Sequence, residues 1–269
     1  MPVDPQLRSL NIDIPAQPES LANLSMLLAD DNVNLQAVSS LISSDMALAA
    51  AVLKAVNSSF YGMRGRVQSV QQAITHLGTR EVASVTFAMG LKAVFPAAQE
   101  LEPLWERASV RSLLMSRIGQ ALNVDPWAAH SAGLFEECGK AVLFRHSSTR
   151  YRALLAQAAD DEELLLLEHA EFGVSHDALG AALCESWGLG PAAVASVRHH
   201  VEAQVTYLLP EMQARRSICA LSVIAHALMQ APETLEAAAQ AVCPAADLDV
   251  TLVLRAASQT QQQLEAVEA

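Results

Sequence analysis

The stretch HSAGLFEECGK, His130–Lys140, decides how this chain is read. It follows Asp125-Pro126, a pair suited to a helix start, because proline at the first helical position gives up an N–H that has no partner there. At 3.6 residues per turn, Trp127, Leu134, Cys138, Ala141 and Val142 make one apolar stripe, and Glu136 falls opposite it beside Lys140. A Glu-to-Lys pair four residues apart supports a helix by roughly a few tenths of a kcal/mol. The spacing therefore predicts one long helix with Glu136 and Lys140 on a solvated or partner-facing side. The competing reading, carboxylates ligating a metal, is weakened by how few companion ligands the chain offers.

Outward from this helix, composition sets the class. Apolar residues make up 52% of the 269 and aromatics only 4%, so the core is built from Ala, Leu and Val. That bias favours helix over strand, and the expectation is an all-α protein. The formal net charge is −12 and no Lys/Arg cluster is present to line a phosphate backbone, which argues against nucleic acid as a partner. Met1–Pro5 lacks a basic start followed by an apolar core, and no apolar run reaches bilayer length. A soluble, cytoplasmic chain without membrane contact is expected. Cys138, Cys184, Cys219 and Cys243 lie far apart with no C-x-x-C pair, and read as reduced core residues.

Residues 1–19, punctuated by Pro2, Pro5, Pro15 and Pro18, read as an extended arm. A helical lobe follows over 20–100, a second over 101–230, and further helices over 231–269. In the first lobe Asp45 caps a helix carrying Leu48, Val52, Leu53 and Val56, and Asn57–Gly62 is its exit. Ser69–Gln72 reads as a capping box, Gly78 as a left-handed turn, and Thr79 as the cap of the next helix. Asn57 is expected to act as a buried hydrogen-bonding clasp between the first helices.

Two resemblances then come into view. Ala, Gly, two apolar residues, two acids and Gly-Lys within 130–140 resemble the central helix of the HD superfamily, whose His-Asp dyad is here Glu136-Glu137. More specific is the succession Leu41-Ile42, Asp45, Leu48, Val52-Leu53, Val56-Asn57-Ser58, Tyr61-Gly62, Val70, Ala73-Ile74, Leu77-Gly78. It resembles the N-terminal half of the HDOD family, the HD-related output domain of bacterial signalling proteins. Further on, Glu171, Gly173, His176, Gly180, Trp187, Leu189 and His199-His200 resemble the same family, with Gly190 a departure before Pro191. The resemblance covers roughly residues 12–228. It implies a fold of two packed helical lobes.

The resemblance also says where a metal-dependent phosphohydrolase would keep its ligands. Such an enzyme needs imidazoles and carboxylates converging on metal ions, so that bound water ionises near neutral pH and attacks phosphorus. The first histidine's place is taken by Arg107, which has no neutral donor; the dyad's place by Glu136-Glu137; the last aspartate's by His226. His199 and His200 diverge by about 100° on a helix, so at most one of them can easily share a pocket with His176. His130 completes the list of histidines that could join them, with no spacing that requires it. No Walker loop, G-x-G-x-x-G, G-x-S-x-G or H-E-x-x-H is present.

The expectation is a non-catalytic regulatory module of bacterial signal transduction, without cofactor or metal, acting on signalling proteins, with self-association left open. The rival readings are a divergent phosphohydrolase rebuilt from Glu136, Glu137, His176, His199 and His226, and a receptor that keeps the relict pocket for a nucleotide. Asp45, Asn57, Gly62, Gly78 and Trp187 are expected to be structural.

Overall fold

The computed structural model describes residues 11–28, 34–58 and 67–268, with side chains to 264. Every regular element among the described residues is helical. No single helix among them is long and apolar enough to cross a membrane. The chain divides into two compact units, Met1–Pro15 with Ala97–Gln261 and Ala16–Pro96 with Gln262–Ala269.

The smaller unit holds α1 (Glu19–Leu28), α2 (Leu35–Ser44), α3 (Met46–Val56), α4 (Val70–Leu77) and α5 (Thr79–Ala93). Its core is Leu21, Leu24, Val38, Ile42, Val52, Val56, Val82 and Leu91, each almost fully removed from water. A buried side chain of this size contributes roughly 1.5–3 kcal/mol. The helix ends follow from local chemistry. The Asp45 carboxylate accepts from the Leu48 N–H at 3.0 Å, and Ser69 Oγ accepts from the Gln72 N–H at 3.2 Å. Asn57 is the expected clasp: its Nδ2 donates to Val67 O at 2.7 Å and its Oδ1 accepts from Val67 N at 3.1 Å, tying the exit of α3 to the approach of α4. One detail differs. Gly78, at φ +86° and ψ 161°, is itself the residue before α5, and Thr79 is the first helical residue rather than the cap. Gly62 lies outside the described residues.

The larger unit contains α6 (Glu102–Ala121), α7 (Pro126–Phe135), α8 (Cys138–His146), α9 (Ser148–Gln157), α10 (Asp161–Phe172), α11 (His176–Ser186), α12 (Pro191–Thr206), α13 (Gln213–Gln230) and α14 (Leu235–Val242), and α15 (Val250–Glu268) begins in it. The four cysteines are buried free thiols. The arm runs non-helically over 11–18, and Trp187 Nε1 donates to Pro15 O at 2.9 Å while its ring meets Phe135 edge-on.

The single long helix expected from Pro126 is two. The chain leaves helical geometry at Glu137 (φ −100°, ψ 6°), so α7 stops at Phe135 and α8 starts at Cys138. Glycine lets the two halves approach their neighbours. A Cβ on Gly133 would sit 2.9 Å from Ser112 Cα on α6, and one on Gly139 would sit 1.9 Å from the His176 carbonyl oxygen on α11. The break thus places Glu136 and Glu137 between α6, α12 and α13 instead of on a helix surface.

Candidate functional site: a neutralised dyad beside a histidine pair

Glu136 and Glu137 are 1% and 3% exposed and Lys140 is 6%, which corrects the solvated reading of this segment. The expected Glu136–Lys140 pair is not the one formed. Glu137 is held by three cations from two elements: Arg107 Nη2 at 2.8 Å and Arg111 Nη2 at 2.7 Å on α6, and Lys140 Nζ at 2.7 Å on α8. Arg107 Nε also donates to its second oxygen at 3.1 Å. Lys140 reaches on to Asp161 Oδ1 at 2.7 Å, at the start of α10. Glu136 Oε1 lies 3.0 Å from Arg111 Nε and accepts from Gln204 Nε2 of α12 at 2.8 Å, while its Oε2 accepts from Ser222 Oγ of α13 at 2.7 Å. Three fixed cations thus face three carboxylates, Glu136, Glu137 and Asp161.

The ionisation follows the geometry. Burial by itself would raise the Glu137 carboxyl, yet Arg111, Lys140 and Arg107 hold it well below the usual carboxylate range. Burial would likewise discharge Lys140, and Glu137 with Asp161 keep it charged and raise its pKa. Asp161 shows the same contest: desolvation pushes up, Lys140 pulls further down.

Beyond Lys140 lies the histidine pair. His176 opens α11, fully buried, and both its backbone N–H and its ring Nδ1 address Glu168 Oε2, at 2.7 and 2.8 Å. The other Glu168 oxygen accepts from Tyr151 Oη at 2.5 Å. Burial and the neighbouring Glu168 raise the tyrosine pKa well above its ordinary value, so it remains a donor. His200 on α12 is 1% exposed, with Nδ1 2.7 Å from the Val197 carbonyl oxygen and its ring centroid 5.3 Å from that of His176. Burial depresses its pKa, favouring neutral imidazole. Of the adjacent pair, His200 is the one that faces His176, and the divergence on a helix turns the other away. His199 points outward, its side chain 40% exposed and 3.5 Å from Glu202. His226 on α13 is half-buried, and His130 on α7 stacks on Trp127; neither belongs to the group around His176.

Donor atoms of Asp161, His176 and His200 all lie within 4.8 Å of one another. The fit to metal is therefore split. The dyad position does not suit a hydrolytic metal pair, because the oxygens of Glu136 and Glu137 are committed to N–H and O–H donors and their charge is already met. The two imidazoles, whose Nε2 atoms have no hydrogen-bond partner, do suit a single ion of the kind that prefers nitrogen ligands, together with Asp161, of which Oδ1 is already on Lys140. A cavity of about 240 Å³ lined by Arg107, Lys140, Tyr151 and Asp161 opens beside them.

Sequence reasoning did not single out Arg111, Asp161 or Glu168. Asp161 reads as one of several first-turn acids of α10, Asp161, Glu162 and Glu163. Glu168 carried one usable signal, a lone carboxylate directly after four leucines, and it is fully buried. The Glu171 of the family pattern is exposed and pairs with Arg150 at 3.0 Å.

This architecture, two helical units with a histidine pair beside a displaced dyad, is of the HD-like class. Residues 14–203 match the HDOD domain, and the chain belongs to that family. An uncharacterized protein of Treponema pallidum (strain Nichols) is 26% identical over 193 residues, a match that covers 70% of this chain and 37% of that protein. Thus the chain spans well under half the length of this curated relative. Among solved structures, an HDOD domain protein of unknown function from Geobacter sulfurreducens superposes with a TM-score of 0.70 at 16% identity, covering 97% of this chain and 94% of that one. A candidate phosphohydrolase from Shewanella amazonensis SB2B gives 0.70 at 18%, covering 98% of each chain. A candidate signal transduction protein from Marinobacter aquaeolei VT8 gives 0.71 at 23%, covering 97% of this chain and 63% of that one.

Proposed function

We propose that this chain is a non-catalytic regulatory module of bacterial signal transduction that works by binding another protein. The observation that carries the reading is the self-neutralised dyad. Hydrolysis of a phosphodiester needs carboxylates whose lone pairs and charge are available to metal ions that activate water. Here Arg107, Arg111 and Lys140 already occupy those carboxylates from inside the fold. Loading a metal ion onto Glu137 would mean displacing at least one of these three cations, two of them on buried side chains.

Exposed apolar residues at the α12–α13 connection support a protein partner. Val205, Leu208 and Met212 are between 50% and 62% exposed within eight residues of sequence. The test is affinity capture from the native cell with the full chain and with Leu208→Asp/Met212→Asp. The expected result is a signalling protein retained by the first and lost with the second while thermal stability is unchanged. Capture that is indifferent to the double substitution, or a captured set of metabolic substrates only, would remove the support.

The cavity beside Arg107 favours one second reading, a receptor for a small phosphorylated ligand. A ligand that binds only the folded chain raises Tm with its concentration. A nucleotide panel including cyclic dinucleotides that shifts Tm in the wild type and not in Arg107→Leu would favour that reading over the first.

A further inference from the structure

The geometry points to a mononuclear site for a divalent transition-metal ion, of the zinc, iron(II) or manganese(II) class, formed by Asp161, His176 and His200. The three residues come from α10, α11 and α12, and their donor atoms converge within 4.8 Å. What makes this a built site is the state of the two rings. Glu168, an acceptor, takes the proton on His176 Nδ1, and the Val197 carbonyl, also an acceptor, takes the proton on His200 Nδ1. In the neutral rings Nε2 then carries the lone pair, and both Nε2 atoms are buried without a hydrogen-bond partner. Buried nitrogens left unpaired are costly, and two of them side by side with a carboxylate are what a cation would satisfy together.

The outer contacts agree. Ligating histidines characteristically donate their second ring N–H to a carboxylate or a backbone carbonyl, which fixes the tautomer and aims the free nitrogen. Both forms occur here. Glu168 is fully buried and fixes the His176 ring, meeting both its backbone N–H and its Nδ1 while its other oxygen accepts from Tyr151 Oη. Two imidazoles and one carboxylate select a nitrogen-preferring transition metal over magnesium or calcium. Of the three residues Asp161 alone lines the cavity, so the cavity reaches the carboxylate side of the group. Such an ion would pin α10, α11 and α12 together and hold the chain in one arrangement, a role for metal that asks nothing of the neutralised dyad.

The test uses the full chain, stripped with chelator and dialysed against zinc, manganese and, under anaerobic conditions, iron(II). Bound metal is counted by mass spectrometry, with cobalt(II) as an optical probe. Expected are one ion per chain for at least one metal, visible cobalt bands, and a Tm that rises with metal. Affinity should fall at least about tenfold in His200→Gln and in Asp161→Asn, the scale on which even outer-shell changes act, and remain unchanged in His199→Gln, whose ring is exposed. Asp161 is only half-buried, so Asp161→Asn carries the comparison if His200→Gln does not fold. Substoichiometric binding of all three metals by the wild type, the result if a water bridges the two nitrogens, would overturn the inference. So would one-to-one binding that neither substitution weakens. Phosphodiester turnover plays no part in the readout, so the regulatory reading stands or falls separately.

Discussion

At the scale of single residues, Glu137 carries the greatest consequence. It is an anion in a nearly dry position, with Arg107, Arg111 and Lys140 around it. Removing its charge takes from Arg107 its carboxylate and leaves buried Arg111 and Lys140 with Glu136 and Asp161 alone, and breaking a buried pair costs about 3–5 kcal/mol. Glu137→Gln should therefore lower the unfolding free energy by about that amount, measured by urea denaturation at neutral pH with an unchanged m-value. Its folded pKa is depressed, so its contribution is complete above the ordinary value of 4.5 and is lost as pH falls through the folded value. The wild type should lose stability progressively below about pH 4.5, and the acid slope should be shallower in Glu137→Gln. Equal slopes in the two proteins would mean that Glu137 is not held ionised by its neighbours. The sequence made the identities at 136 and 137 plain, yet their environment was illegible. Charge periodicity paired Glu136 with Lys140, whereas the partners that matter, Arg111, Gln204 and Ser222, come from three other helices.

At the scale of elements, capping chemistry was the most legible part of the chain. Asp45, Ser69 and Asn57 do locally what their side chains dictate, because a cap depends on backbone groups only a few residues away or, for Asn57, ten. The α7–α8 break was not legible. Nothing in Phe-Glu-Glu-Cys disfavours helix, and the turn is imposed by what the two carboxylates bind. Gly139 gives this a test. In an isolated helix Gly→Ala gains about 1 kcal/mol. Here the added Cβ would meet the His176 carbonyl oxygen and the Gly180 nitrogen, backbone atoms that do not rotate away. Gly139→Ala is expected to destabilise by at least about 1–3 kcal/mol, the cost of overpacking, and to displace His176. Gly190→Ala is the counterpart: its φ is −63° and no atom lies within 4 Å of a Cβ there, so it should be neutral or stabilising by about 0.4–1 kcal/mol. Thermal melts of the two variants in parallel would expose an error if they shifted alike.

For the molecule as a whole, an alanine- and leucine-rich chain with little aromatic content reads as all-helical, and every regular element among the described residues is a helix. That at most one of His199 and His200 shares a pocket with His176 was legible because adjacent residues on a helix diverge, but which of the two was not. Asp161 and Glu168 were not, since only the packing of α10 against α11 and α12 brings them to the histidines. The large-scale consequence is a molecule in which side-chain cations contact the two carboxylates at the dyad position. The most direct measurement is turnover by the full chain, supplemented in turn with manganese, iron(II) and zinc, on a generic phosphodiester and on cyclic dinucleotides. The account predicts rates indistinguishable from the metal blank, and the same for His176→Ala. Metal-dependent turnover in the wild type that disappears in His176→Ala would contradict it.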